Sequence, residues 1–207
     1  FHQPSLVYIG LDVLRTLDEA EWRCGLGEVI KHGFISDREL FHLCETEPGA
    51  VIGREPRVVS QLVERSCAVK AEVVSKDERE SGWRRILNYG HTVGHAVESA
   101  LGHGRLRHGE CVAVGMVAET AWAVEQGFCG ASDLERLKSL LGQLGMCQEI
   151  PFVPNDALRR AVAVDKKREG GTIETAVPVH IGKVRLHRMP MSEVFEMLER
   201  VPVAVEV

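Results

Sequence analysis

The stretch from Glu110 to Glu125, ECVAVGMVAETAWAVE, constrains the fold more than any other part of the chain. Nearly every position is apolar or small, and a helix that is apolar all round must be buried. Ala113, Gly115 and Ala118 leave little side chain on its surface, so neighbouring helices can approach its backbone closely. This segment is expected to be the buried centre of a mainly α protein.

The rest of the chain supplies helices to surround it. Asp18 followed by Glu21 has the spacing of a capping box, and Leu26, Val29, Ile30 and Phe34 then mark one apolar face, which places Glu28 and Lys31 within a helix. A second helix is predicted after Asp37, ending before Pro48-Gly49. Pro56 opens a long one with Val59, Leu62, Val63 and Cys67 inward. Tyr89 to Ala100 forms another, stopped by Gly102. Ser132 with Glu135 starts a helix running to Leu144, Asn155-Asp156 starts one to Val164, and Ser192 caps a last one through Arg200. Thr172 to Val179 and Lys183 to Arg188 flank His180-Ile181-Gly182, which predicts a β-hairpin near the C-terminus. The tail from Val201 is apolar enough to pack. The expected fold is a helical array with one small hairpin.

Chemistry concentrates in LNYGHTVGH, residues 87–95, followed by His108-Gly109-Glu110 and preceded far upstream by Gly27-Glu28-Val29-Ile30-Lys31. His91 and His95 are four residues apart and share a helix face. His108, beyond the loop-like Gly102-His103-Gly104, reaches in from a separate element, and Glu28 can add an oxygen. Imidazoles plus one carboxylate, with a position left open, is the composition of a catalytic zinc centre, whereas structural zinc sites usually use thiolates and are closed. A histidine pair at this spacing is more often a solvated or hydrogen-bonded helix face, and spacing alone does not choose. Gly90 and Gly94 beside the histidines suggest a close approach to the backbone, a packed ligand being one reason.

Composition narrows the function classes. Net charge is −5 with neutral histidine, so attraction to nucleic acid is not expected, and Lys166-Lys167-Arg168 is too short for a nucleic-acid footprint. Six cysteines without a CxxC pair read as free thiols in a reducing compartment. No apolar run approaches the roughly 20 residues needed to span a bilayer, and no signal peptide is visible.

The chain resembles the C-terminal domain of the 3-dehydroquinate synthases. The matching pieces are Phe1-His2-Gln3-Pro4, Leu14-Arg15-Thr16-Leu17, GLGEVIKHG at 25–33, VKAEVVSKDERESGWRRILNYGHTVGHAVE at 69–98, HGECVAVGMV at 108–117 and Asp165-Lys166-Lys167. Any one is weak; their order and spacing together are specific. The resemblance implies that Glu28, His91 and His108 hold Zn2+ or Co2+, and that His95, which spacing alone would nominate as a ligand, lies beside the substrate. It implies that Lys31, Lys70, Arg84 and Asn88 line the substrate pocket and that Lys166 or Lys167 meets the phosphate end. Without that context Lys31, Lys70 and Arg84 would read as solvated surface charges.

The implied reaction converts 3-deoxy-D-arabino-heptulosonate 7-phosphate to 3-dehydroquinate in the shikimate pathway, with loss of phosphate and catalytic use of NAD. Val13, Leu14, Arg15 and Thr16 would form the rim touching NAD. The family holds most of the NAD in an N-terminal Rossmann-like α/β domain, and no glycine-rich phosphate loop follows a strand here. The chain is therefore expected to be one half-enzyme domain that binds metal but turns over negligibly alone. The family is cytoplasmic in bacteria and its members often dimerise, which leaves a homodimer open. Two other readings stand beside this one: a sugar phosphate cyclase of the 2-deoxy-scyllo-inosose or valiolone type, from which Asn88 tilts the reading away, and a metal-free helical scaffold.

Overall fold

The structure, a computed structural model, describes residues 4–79, 82–102, 104–146, 149–151, 153–165 and 172–204. Helix α1, Glu19–Ile35, starts where the Asp18 side chain accepts the Glu21 N–H at 2.7 Å. Helix α2, Arg38–Thr46, starts the same way, with Asp37 accepting from Leu40 N at 3.0 Å. Pro48 then begins a short helix, α3 (Pro48–Ile52), that the sequence reading left out; a proline at the first helical position costs no hydrogen bond. Pro56 does the same for α4, Pro56–Lys76.

Along α4 the buried positions are Val58, Val59, Leu62, Val69 and Val73. Cys67, expected to face inward, is exposed; it sits roughly 140° around the helix from Leu62. A 3-10 turn over Trp83–Asn88 leads into α5, His91–Leu101, which ends at Gly102 as expected. Helix α6 runs His108–Glu125. Helices α7 (Ala131–Gln143) and α9 (Met191–Leu198) start one residue ahead of the serines expected to cap them, with Gly130 and Pro190 at the N-cap and no side-chain cap at either. Helix α8 spans Asn155–Asp165.

Helix α6 is buried on every side, from Gly109 through Trp122 and Ala123. It is the wall between two apolar clusters. Val112, Ala113, Met116 and Val117 face one, with Ile30, Phe34, Phe41, Leu62 and Leu137. Cys111, Val114, Ala118 and Trp122 face the other, with Val97, Leu158, Val194 and Met197. The small residues serve the contact predicted for them: a Cβ placed on Gly115 would lie 2.0 Å from the Gly90 carbonyl oxygen, and one on Gly94 would lie 2.9 Å from Cys111 O. What the glycines beside the histidines admit is the backbone of α6, not a ligand. Gly90 also lies outside α5, as its left-handed N-cap with φ 78°, a conformation that suits glycine.

The hairpin pairs β1 (Thr172–His180) with β2 (Lys183–Pro190), antiparallel, and Gly182 at φ 89° makes the turn. Its tip is tied to the end of α1, Gly182 N–H donating to Phe34 O at 2.8 Å. The tail packs as well: Val201 is buried and Val203 pairs with Ile150 in a parallel bridge. No helix among the described residues is long and apolar enough to cross a membrane.

Candidate metal centre

Three helices bring the predicted groups together. Glu28 lies in the middle of α1, His91 is the first residue of α5, and His108 is the first residue of α6. The approach of α1 to α6 needs two glycines, since a Cβ on Gly109 would stand 2.0 Å from Cys24 O and one on Gly27 2.6 Å from Gly109 O. Close backbone packing is therefore what sets Glu28 opposite His108.

The Glu28 Oε1 atom faces His91 Nε2 at 3.5 Å and His108 Nε2 at 3.7 Å. Both imidazoles are held from behind, His91 Nδ1 by Tyr89 O at 3.2 Å and His108 Nδ1 by a Glu98 carboxylate oxygen at 3.2 Å. With Nδ1–H donated outward in each ring, both Nε2 lone pairs point inward. Glu28 Oε1 is buried and has no hydrogen-bond partner among the described residues. Two lone pairs and an unsatisfied carboxylate oxygen converging on one point make a donor set for a divalent cation, with distances that need only a small inward movement to become ligation.

His95 is exposed, one turn along α5, and its ring centroid is 5.2 Å from that of His91 and 5.7 Å from that of His108. Ligand atoms of all three histidines lie within 4.8 Å of one another. The imidazole cluster thus forms as spacing suggested, with His95 on its solvent side.

Lys31 departs from the ordinary expectation for a lysine. It is 3% exposed, and its ammonium donates to Glu28 Oε2 at 2.6 Å. Burial lowers the Lys31 pKa, and the Glu28 charge partly offsets it. For Glu28 burial pushes upward, but the Lys31 ammonium and the nearby histidines outweigh it and hold the carboxyl below its usual value. The His91 imidazole is pushed down to about 4, by burial first and then by the Lys31 charge, so it is a neutral nitrogen donor at physiological pH. His32, one residue on, is buried and engaged with Ser66 Oγ at 2.6 Å.

The remaining predicted residues surround this point less tightly. Lys70 is exposed on α4, and its charge reaches Lys31 and His32. Asn88 is exposed and ends the 3-10 turn that delivers His91. Arg84 lies in that turn, its guanidinium donating to Glu78 O at 3.2 Å and its backbone N–H to the buried Asp77 carboxylate at 3.0 Å. Val13 to Thr16 belong to an exposed 3-10 helix, Leu11–Thr16; Leu14 and Arg15 line a groove of about 440 Å³ with Trp22, Arg54 and Val59. Lys166 and Lys167 lie outside the described residues.

Two carboxylates escaped the sequence reading. Glu98 shares a face with His91 and His95, and its seven-residue spacing from His91 is the signal that could have found it. Glu119 has no local signal. It is fully buried on α6 and accepts the Gly90 N–H at 2.8 Å and the Val93 N–H at 3.1 Å, capping from another helix the first turn of α5.

The chain is similar in sequence and in fold to known proteins. The 3-dehydroquinate synthase of Nostoc punctiforme is 46% identical over 89% of the chain, and that of Thermodesulfovibrio yellowstonii is 40% identical over 90%. The chain spans about half the length of these curated relatives, 52% in both cases. The solved 2-epi-5-epi-valiolone synthase of Streptomyces hygroscopicus subsp. jinggangensis, with NAD+ and Zn2+ bound, superposes with a TM-score of 0.83 at 26% identity, covering 93% of this chain and 54% of that one. A 2-deoxy-scyllo-inosose synthase complexed with carbaglucose-6-phosphate, NAD+ and Co2+ superposes at 0.78 with 23% identity, over 91% of this chain and 54% of that one, and shares the fold. Residues 25–168 match the family described as 3-dehydroquinate synthase C-terminal, and the chain belongs to that family.

Proposed function

We propose that this chain supplies the metal-binding and substrate-facing part of a 3-dehydroquinate synthase, which forms 3-dehydroquinate from 3-deoxy-D-arabino-heptulosonate 7-phosphate in the shikimate pathway. The observation that carries the reading is the unsatisfied Glu28 Oε1 facing two imidazole Nε2 atoms whose Nδ1 positions are already taken. Glu28, His91 and His108 would hold Zn2+ or Co2+. Relatives named 3-dehydroquinate synthase at 40–46% identity support this substrate over those of the cyclases at 22–26%.

A bound divalent ion supplies Lewis acidity, lowering the pKa of substrate hydroxyls and polarising a transient carbonyl. NAD, when bound, would supply reversible hydride chemistry, with Val13 to Thr16 as the residues of this chain that would face it. The chain's own residues bind and position. Lys31 keeps Glu28 ionised beside the reacting oxygens. His95, on the open side of the cluster, takes up or gives back a proton at a ring nitrogen. Lys70, Arg84, Asn88 and one of Lys166 or Lys167 meet the substrate's carboxylate, hydroxyls and phosphate, groups that call for cationic and amide donors. Val13 to Thr16 form the NAD-facing rim, and the complete protein would act in the cytoplasm.

Metal content and turnover test the reading. The wild-type chain is expected to retain close to one equivalent of zinc, and His91→Ala to lose it. The complete protein is expected to release phosphate from the heptulosonate phosphate far faster than from glucose 6-phosphate. A properly folded wild-type chain without zinc, or a reversed substrate preference, would refute it.

A further inference from the structure

Glu98 plays no part in the donor set above, yet it is the group that decides how His108 presents itself. We infer that Glu98 is a positioning residue for the metal centre, fixing the His108 ring in the Nδ1–H tautomer so that Nε2 is free to bind the cation. The inference rests on the metal reading of Glu28, His91 and His108.

The argument is one of competing acceptors. His108 Nε2 faces Glu28 Oε1 at 3.7 Å, and that oxygen is buried without a hydrogen-bond partner among the described residues. Left to itself, the His108 proton would be drawn to Nε2, where a slight ring movement would donate it to Glu28 and close the centre with a hydrogen bond. A carboxylate on the opposite edge reverses the preference: Glu98 Oε2 stands 3.2 Å from His108 Nδ1 and accepts a proton there. In His91 the same duty falls to the Tyr89 carbonyl at 3.2 Å. The two rings differ in exposure. The His91 side chain is 14% exposed, whereas that of His108 is 41% exposed. The more exposed ring has the charged, stronger acceptor.

Placement on the helices strengthens the case. His91, His95 and Glu98 follow one another along a single face of α5, so one helix carries a metal donor and the group that aims the donor of α6. Glu98 thereby ties the relative rotation of α5 and α6 to ligand geometry. An outer carboxylate on a metal-binding histidine typically changes metal affinity by about 10–100-fold.

Cobalt titration and imidazole NMR of the full chain test this, using wild type, Glu98→Ala, Glu98→Gln and His91→Ala. For the metal-free chain, long-range 1H–15N correlations should show His108 protonated at Nδ1 in wild type and shifted toward Nε2–H in Glu98→Ala. Co2+ affinity should fall about 10–100-fold in Glu98→Ala, with altered ligand-field bands and an unchanged helical circular dichroism spectrum. Glu98→Gln, whose amide oxygen still accepts from Nδ1, should recover part of the loss, and it provides the reading if Glu98→Ala does not fold. Wild-type affinity, bands and His108 tautomer in both Glu98 variants, with binding still abolished by His91→Ala, would overturn the inference and leave the metal centre standing. A folded wild-type chain that takes up no Co2+ would overturn both.

Discussion

The Glu119 carboxylate, buried in the middle of α6, accepts the N–H of Gly90 at 2.8 Å at the start of α5. Its other oxygen accepts the Val93 N–H at 3.1 Å. A buried polar group that would be costly unpaired is engaged by two backbone donors at the start of the helix, and those donors are satisfied from another element.

Removing it should therefore cost more than an ordinary surface cap. Glu119→Ala is expected to destabilise the chain by about 3 kcal/mol, since two buried N–H groups lose their acceptor and a void remains. Glu119→Gln keeps one acceptor and turns an NH2 group toward the other N–H, so an intermediate loss is expected. Urea denaturation of the three proteins measures the order; equal midpoints would contradict it.

The α5–α6 crossing makes a second prediction. A Cβ at Gly115 would meet the Gly90 carbonyl at 2.0 Å, a backbone atom that cannot swing aside. Gly115→Ala should destabilise by about 3 kcal/mol or prevent folding, as overpacking does in a tight core. Gly145→Ala is the contrast: nothing stands within 4 Å of the new methyl, but φ is 65°. The strain alone should cost about 1 kcal/mol, seen as a much smaller fall in melting temperature.

Lys31→Met leaves Glu28 partly buried without its ammonium partner. Burial then acts unopposed by that cation, and the Glu28 pKa should rise relative to wild type. Because the Glu28 side chain is 35% exposed, the stability loss should be about 1 kcal/mol, less than for a fully buried pair. Infrared titration of the carboxylate band, compared with Glu28→Gln to assign it, measures the shift; an unchanged titration would argue against the Lys31–Glu28 pairing.

His32 makes stability depend on pH. Burial, then the Lys31 charge, pushes its pKa from 6.5 down to about 4. Above the unfolded value both states are neutral and the group contributes nothing. As pH falls through about 6.5 the unfolded chain takes a proton that the folded one refuses until about 4, so stability drops across that window. The loss between about pH 7.5 and about pH 5 should be roughly 2 kcal/mol from this residue. His32→Gln should remove about half of the slope in that window in urea denaturation, because His91 is likewise pushed from 6.5 down to about 4 and acts there too; an equally steep profile would place the titration elsewhere.

Much of this architecture is legible along the chain because it is local. Asp18 and Asp37 cap the helices they precede, Pro56 opens α4, Gly102 closes α5 and Gly182 turns the hairpin, each through interactions spanning a few residues. Ser132 and Ser192 mislead because a serine near a helix start need not be the cap when Gly130 or Pro190 already leaves the backbone extended there. Cys67 misleads because an apolar residue does not reveal by itself which side of α4 it occupies.

By itself the sequence determined the helical array, the hairpin and the placing of His91 and His95 on one helix face, since periodicity and caps are properties of neighbouring residues; Glu28 and His108 were named beside them by the family resemblance, and it is the packing of α1 on α6 that brings them there. Only the tertiary structure decided why Gly90, Gly94 and Gly115 are glycines, that Lys31 is buried against Glu28, that Glu98 stands behind His108 and that Glu119 caps a helix other than its own. Each depends on which helix lies opposite, and at contact distance a displacement of about 1 Å makes or breaks a hydrogen bond, a precision that no pattern of residue types along one chain can encode.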